Sequence, residues 1–436
     1  MEYTIHVENF GKIRNASVKV APLTLFVGDN NSGKSYLLSL IWALQSFEMQ
    51  RLFLAGIEAT KGYEALAAQI RLLVDGRQNE VRLSSNEFLP VLNEVLHNNK
   101  ENLIRNVFNS SSVSIGKLWI SVQENYIFTI RGKGDEFSFY EEGLGKIGSV
   151  NMVAPMSKED CAQHIMEYLC SLAVMDSKWN TIYFPAARTG FVLAKDAINK
   201  AARKSAFDTI RPYGENSIEP FTKPIMNFLD AMNMPTEQKT SGKNQQLLDW
   251  IQREMSHGKV NYRDDVTRNI EYYPEGLEVG LPLRTVSAVV TELTPLMLLL
   301  QHKEKLQSIC YEEPEMCLHP QLQLKMARLL VRMVAAGITI VATTHSDIIL
   351  QYINNACTLS SLGKPEELLS ALELTEEDCI SVKDVAVYQF EDDGSYSEVR
   401  VLQPTERGFD VPTFKDALQE ILNQTSEVYT YEEQGE

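Results

Sequence analysis

Several things that would place this chain in a membrane, outside the cell or on a basic nucleic-acid scaffold are scarce or missing in it. No apolar run approaches the roughly 18–20 residues that a helix needs to cross a bilayer. The start, MEYTIHVENFGKIRNASVKV, lacks the basic residues and apolar stretch of a secretory signal and alternates as strands do. Six cysteines occur in 436 residues (Cys161, Cys170, Cys310, Cys317, Cys357, Cys379), and no two make a C-x-x-C pair. They read as reduced, mostly buried thiols of a cytoplasmic protein. Positive charge is also short, with 41 Lys and Arg against 58 Asp and Glu, a formal net charge of −17. That disfavours a wholly basic nucleic-acid binder. The one basic stretch, NKAARKSAFDTIRP (199–212), reads first as a solvated helix face, and the acidic end YTYEEQGE as a frayed terminus. There is no internal repeat and no low-complexity tract. What remains is a packed globular chain, 44% hydrophobic, long enough for one large or two to three ordinary domains.

Against that background one stretch stands out. Residues 26–35 read FVGDNNSGKS, so that Gly28, Gly33, Lys34 and Ser35 match G-x-x-x-x-G-K-[ST]. LTLFV before it has the β-branched and aromatic residues of a short buried strand, and YLLSLIWALQSF after it is apolar enough for a buried helix. Strand, loop and helix are what phosphate binding requires. Glycines let successive backbone N–H groups turn toward phosphate oxygens, and the helix start adds partial positive charge. The loop Gly28, Asp29, Asn30, Asn31, Ser32, Gly33, Lys34, Ser35, with Tyr36 following, is the candidate ATP cradle. Lys34 would reach the β- and γ-phosphates, and the Ser35 hydroxyl would ligate Mg²⁺.

Such a loop needs carboxylates at the end of another strand. SICYEEPEMCLHP (308–320) supplies them: Glu312 would hold magnesium, and Glu313 would polarise the water that attacks the γ-phosphorus. Two adjacent carboxylates at a strand end repel one another and are costly to bury without a cation. ITIVATTHSD (338–347) is a third strand, ending in His345, which could donate a hydrogen bond to the γ-phosphate. Alternating strands and helices from 285 onward imply a parallel sheet with helices on its faces. Three short strands are expected at 3–9, 17–21 and 23–27, and an antiparallel meander over 113–140. The two ends of the chain therefore meet in space around inserted material. The expected division is an ATPase lobe at 1–50, a helical insertion at 51–110, an antiparallel β lobe returning to the core at 111–190, a helical insertion at 191–274 and the rest of the ATPase lobe at 275–436.

These three motifs, in this order, resemble the ABC-type P-loop ATPases, and YEEPEMCLHP with ATTHSD is similar to their OLD-like (AAA_15/AAA_21) branch. The resemblance implies an α/β fold, an ABC-type head with a mixed, largely parallel sheet, flanking helices and an antiparallel β lobe, here with helical insertions. It makes 28–35 the Walker A loop, Glu312 the Walker B acid, Glu313 the catalytic glutamate, 317–320 the D-loop and His345 the switch histidine. In this superfamily two heads sandwich the nucleotide, so self-association as a homodimer or larger assembly is implied. The signature segment that acts in trans looks like LRTVSAVVTEL, with Ser287 opening a helix; Ala288 and Val289 stand where the family has glycines. Arg188 in FPAARTG reads as a turn residue held by a salt bridge, with a place near the nucleotide as the alternative. Asp392 and Asp393 in VAVYQFEDDGSYSEVRVL read as a hairpin turn rather than a metal site.

The stretch after His345 looks too short for the nuclease domain that OLD-family nucleases carry. The chain is then similar to the stand-alone ATPases of PARIS, Septu or retron-associated anti-phage systems, which work with a separate nuclease or toxin. The expectation is an ATP-dependent sensor or scaffold that controls such an effector. A DNA-maintenance ATPase of the recombination-mediator, SMC-like kind is the alternative, although the charge does not point to DNA; a transporter ATPase is a third reading.

Overall fold

The computed structural model describes residues 2–152, 156–174, 181–206 (201–206 as backbone only), 221–233, 242–263, 269–302, 306–405, 408–411 and 422–426. The distal part of the basic stretch 199–212 and the terminus 429–436 lie outside the described residues. The chain forms two compact units, each assembled from separated stretches. The first takes its residues from Met1–Val20, Ser35–Glu237 and Lys305–Cys310, the second from Ala21–Lys34, Gln238–Glu304 and Tyr311–Glu436.

In the first unit, strand Thr4–Phe10 pairs antiparallel with Ile13–Lys19 on one edge and with Ile115–Ser121 on the other. Ile5, Val7, Ala16, Val18, Leu118 and Ile120 face the core, as alternation dictates. A second antiparallel sheet runs Glu80–Ser84, Ile127–Lys133, Glu136–Glu141, Gly145–Asn151. This corrects the expected meander, whose first strand belongs to the other sheet. That strand pairs along its length with Thr4–Phe10, and the amide of Asn93, on helix Ser85–Phe108, adds to its hold. It accepts from Ile120 N at 2.7 Å and donates to Ile120 O at 2.8 Å, so the helix holds Ile115–Ser121 by its backbone. The vacated edge is filled by Glu80–Ser84, from the stretch expected as a helical insertion. The helix after the glycine-rich loop is also shorter than its apolar run: Lys34–Leu44 stops at Gln45 and Ser46, and Phe47–Phe53 is a separate turn of helix.

The second unit is a mixed α/β layer. Strand Leu23–Gly28 is wholly buried and lies between two parallel neighbours, Thr339–Thr343 and Val385–Asp392, with Leu25 opposite Ala342 and Val387. A strand buried on both faces reads as a continuous apolar run, which is why LTLFV lacks alternation. Val385–Asp392 turns back antiparallel into Ser397–Leu402. The turn uses its acids as local acceptors: Asp392 Oδ1 accepts from Gly394 N at 2.9 Å, and Asp393 Oδ1 from Ser395 N and Tyr396 N at 2.9 and 2.7 Å. Helices Ala288–His302, Pro320–Ala335 and Asp347–Ser361 complete the alternation. A small antiparallel sheet, Gly258–Tyr262, Ile270–Pro274 and Leu281–Pro282, precedes them. Among the described residues no helix is long and apolar enough to cross a membrane. No cysteine there forms a disulfide; five are buried and Cys317 is exposed.

One charged lock secures the C-terminal part of this unit. Arg328 and Arg332, one helical turn apart on Pro320–Ala335, both grip the fully buried Asp378. Their Nε atoms donate to Oδ1 at 2.8 and 2.6 Å, and their terminal nitrogens to Oδ2 at 2.9 and 2.8 Å. Both guanidinium groups lie over the Trp250 ring, at 5.8 and 5.4 Å. Burial opposes ionisation of Asp378, but the two arginines and the Thr375 N–H outweigh it and hold its pKa below the usual carboxylate value. A depressed carboxylate contributes stability above its unfolded pKa and loses it as pH falls through the folded value. Asp378→Ala should cost about 3 kcal/mol, at the lower end for breaking a buried pair because both arginines reach solvent. Urea unfolding at pH 7 measures this, and the gap between variant and wild type should narrow below pH 4.

Candidate nucleotide-binding site

The candidate site grows from the end of the central strand. Gly28 has φ 114°, and a Cβ there would lie 2.1 Å from the carbonyl oxygen of Phe390, so the position demands glycine. Asp29 N donates to that same carbonyl at 3.1 Å, and Asp29 Oδ2 accepts from Asp392 N at 3.1 Å. The C-terminal hairpin therefore fixes where the loop begins. Asn31 and Gly33 carry the left-handed turns (φ 58° and 97°) that bring the chain to Lys34. Ser32 Oγ donates to Asp29 O at 2.7 Å and stiffens the loop from inside. Asn30, Asn31 and Ser35 stay exposed. Lys34 opens helix Lys34–Leu44, whose first turn holds no acidic residue to cancel its positive end.

The Lys34 side chain is folded back into the loop it belongs to. It is 6% exposed, and its Nζ donates to Gly28 O at 3.0 Å and to Asp29 O at 2.5 Å. Glu312 closes strand Ser308–Glu312, half-buried. Glu313 follows with φ 42°, a left-handed conformation that costs a glutamate on the order of 1–3 kcal/mol. It is held there by its N–H, which donates to Thr343 O at 3.0 Å and to Thr343 Oγ1 at 3.2 Å. The carboxylate of Glu313 comes within 3.9 Å of His345 Nε2. Its charge also acts on Lys34. The structure thus brings together the loop from Gly28 to Lys34, Glu313 and His345. Ser287 is exposed at the start of Ala288–His302, and its hydrogen bonds stay within that helix. Tyr36 packs with Phe10 and Phe108 in the first unit, at ring distances of 6.1 and 5.0 Å. Arg188 is fully buried, opens helix Arg188–Ala206 rather than sitting in the turn before it, and donates to Pro185 O at 3.2 Å.

The AAA_15 family model, described as "AAA ATPase domain", matches residues 1–350. The chain belongs to that family. Among solved structures it is similar to an SmcHead bound to the C-winged helix domain of ScpA, at 12% identity and TM-score 0.36, covering 92% of this chain and 97% of that one. The SMC head domain from Thermotoga maritima gives 10% and 0.33, covering 92% and 99%. An Smc head domain with an extended coiled coil, bound to the C-terminal domain of ScpA derived from Pyrococcus furiosus, gives 12% and 0.35, covering 98% and 100%. At such identities and scores these likenesses carry nothing further about this chain. No curated protein matches it.

For this ATPase domain, three titrating groups in the site depart from their ordinary values. Burial lowers the Lys34 pKa to about 8, against the pull of Glu313 and Asp29. His345 is lowered by burial and by Lys34, with Asp29 opposing, so at neutral pH its ring is uncharged and carries one N–H. Glu315 is raised by burial, with the His345 N–H and Thr344 hydroxyl opposing. Glu315 is the residue that the motif reading passed over. Its only sequence signal is a third carboxylate after the proline of E-E-P-E.

Ser35 offers an exposed hydroxyl at a helix start and Glu312 a half-buried carboxylate at a strand end, the donor types that a magnesium nucleotide takes. A P-loop binds Mg²⁺ through one hydroxyl, one carboxylate and the phosphates, so it needs no cluster of protein acids. A lysine whose pKa is depressed in the free protein regains its proton when a polyanion arrives. ATP binding should therefore take up protons above pH 8 and weaken there. Titration calorimetry from pH 7 to 9.5 in two buffers of different ionisation enthalpy reads this directly, and Lys34→Met should remove the pH dependence along with most of the affinity.

Proposed function

We propose that the chain is an ATP-hydrolysing, ABC-type ATPase whose heads associate on nucleotide and whose output is control of a separate effector, a nuclease or toxin, in anti-phage defence in the cytoplasm. The observation that carries the hydrolytic part is the grouping of Lys34, Glu313 and a neutral His345 around the end of strand Leu23–Gly28 and its parallel neighbour Thr339–Thr343. In this reading the backbone N–H groups of 28–34 receive the phosphates. Lys34 leaves the loop carbonyls for the β- and γ-oxygens. A magnesium ion held by Ser35 and Glu312 would supply neutralisation of charge on those oxygens. Glu313 accepts a proton from the attacking water, and the His345 N–H donates to the γ-phosphate. Ser287, exposed at a helix start, meets the nucleotide of a second copy. The stretches 51–110 and 191–274, expected as helical but carrying strands Glu80–Ser84, Gly258–Tyr262 and Ile270–Pro274, are taken as insertions between ATPase segments 1–50, 111–190 and 275–436.

The sensor role rests on the similarity of YEEPEMCLHP and ATTHSD to the OLD-like branch, together with the chain's likeness to the stand-alone anti-phage ATPases that work with separate effectors. The carboxylates of Asp392 and Asp393 serve the hairpin turn, in keeping with a turn rather than a metal site. The test is the mass of the purified chain in solution, with and without ATP–Mg²⁺, alongside phosphate release. Wild type should hydrolyse ATP and assemble. Glu313→Gln should slow turnover by about 10²-fold or more and trap the assembly. A chain that stays monomeric in both forms would sink the head-to-head reading. A nuclease activity of the pure chain would sink the separate effector, and salt-sensitive, ATP-stimulated DNA binding would favour DNA maintenance.

A further inference from the structure

Beside the site lies a carboxylate that the mechanism above does not use. Glu315 sits in the turn after Glu313, largely buried, and its Oε1 accepts two hydrogen bonds. One comes from the Thr344 hydroxyl at 2.9 Å, the other from the backbone N–H of His345 at 2.7 Å. Its Oε2 is buried and, among the described residues, has no hydrogen-bond partner. Leaving a carboxylate oxygen in that state is costly, and a turn needs no such residue for its own sake. The same turn is closed by Met316 N to Glu313 O and Leu318 N to Glu315 O, both at 3.0 Å. On its other side Glu313 is tied to Thr343 through its own N–H. Three successive residues at the end of strand Thr339–Thr343 are thereby stitched to the acidic turn: Thr343 to Glu313, and Thr344 and His345 to Glu315.

We infer that Glu315 is a positioning residue for hydrolysis, which fixes the backbone of His345 relative to Glu313 so that both groups meet the γ-phosphate as one rigid piece. The inference rests on the ATPase reading above. Without the clamp the His345 backbone N–H loses its acceptor and the residue is free to rotate away, while the loop that binds nucleotide, Gly28 to Lys34, is untouched. The loss should therefore fall on turnover and spare binding.

Steady-state ATP hydrolysis by the full chain tests it, with wild type, Glu315→Ala, Glu315→Gln, His345→Ala and the double variant Glu315→Ala/His345→Ala. Glu315→Ala should lower kcat by about 10²-fold, as a misplacement near 1 Å does, with KM for ATP moving less than about threefold. Glu315→Gln keeps an oxygen for both donors and should recover kcat to within about threefold of wild type. The double variant should be no slower than His345→Ala alone, because both changes remove one function. Binding of a fluorescent ATP analogue, together with thermal unfolding, shows that each variant is folded. If Glu315→Ala does not fold, Glu315→Gln against Glu315→Leu carries the same comparison. The inference is overturned if Glu315→Ala turns over like wild type, if glutamine is as poor as alanine, or if the two single losses multiply. A wild type that does not hydrolyse ATP overturns the ATPase reading and this inference together; a hydrolysing wild type with an indifferent Glu315→Ala overturns this inference alone.

Discussion

Strand Leu23–Gly28 is held between parallel neighbours on both edges, and the position of the nucleotide loop depends on that confinement. All six of its residues are buried, so neither its register nor its direction can change without emptying the core of the second unit. Where the strand ends, the Phe390 carbonyl sits so close to Gly28 that no side chain fits. The chain has to turn there, in a conformation that glycine tolerates and other residues resist. The same carbonyl accepts from Asp29 N, so the first loop residue inherits the rigidity of the sheet. Thr344 N donates to Phe26 O at 3.0 Å, which brings the end of the neighbouring strand, and with it His345, to the same level.

The chemistry is poised by burial. Lys34 is enclosed, with carbonyl oxygens as its partners, which leaves its charge only partly compensated and its proton loosely held. That charge, together with burial, keeps His345 neutral. Glu313, in a strained backbone conformation, faces both. Each of these groups is uncomfortable alone, and phosphate oxygens bearing negative charge would relieve the lysine and give the histidine N–H an acceptor. Strain and depressed pKa values gathered at one strand end are what a preorganised site looks like, in contrast to the Asp378 lock, where every charge already has its partner.

Much of this was legible in the residues themselves. The spacing of Gly28, Gly33, Lys34 and Ser35 after an apolar strand is a local pattern, and local patterns survive in sequence because glycine conformation and helix starts are set by neighbouring residues. The same holds for strand Thr339–Thr343, marked by the apolar run ITIVATT, and for the alternation of strand and helix after residue 285. Glu312, Glu313 and His345 were visible because each ends such a strand. The hairpin turn at Asp392 was visible because aspartate and glycine at a turn act through their own backbone.

Tertiary structure decided what no local window holds. Ile115–Ser121 left the meander to pair with the distant Thr4–Phe10, and Asn93, on a helix read as separate, grips its backbone. Arg188 is fully buried at a helix start although its segment reads as a turn. The carbonyl that makes Gly28 obligatory comes from Phe390, and the N–H that holds Asp29 from Asp392, 363 residues away. Glu315 looks in sequence like one more acid in a charged turn; only the fold shows its carboxylate beneath Thr344 and His345. The physical reason is the same in each case. Backbone conformation and periodicity are properties of adjacent residues, whereas the partner of a buried polar group is chosen by which distant strand or helix the packing of the core brings within 3 Å or so of it.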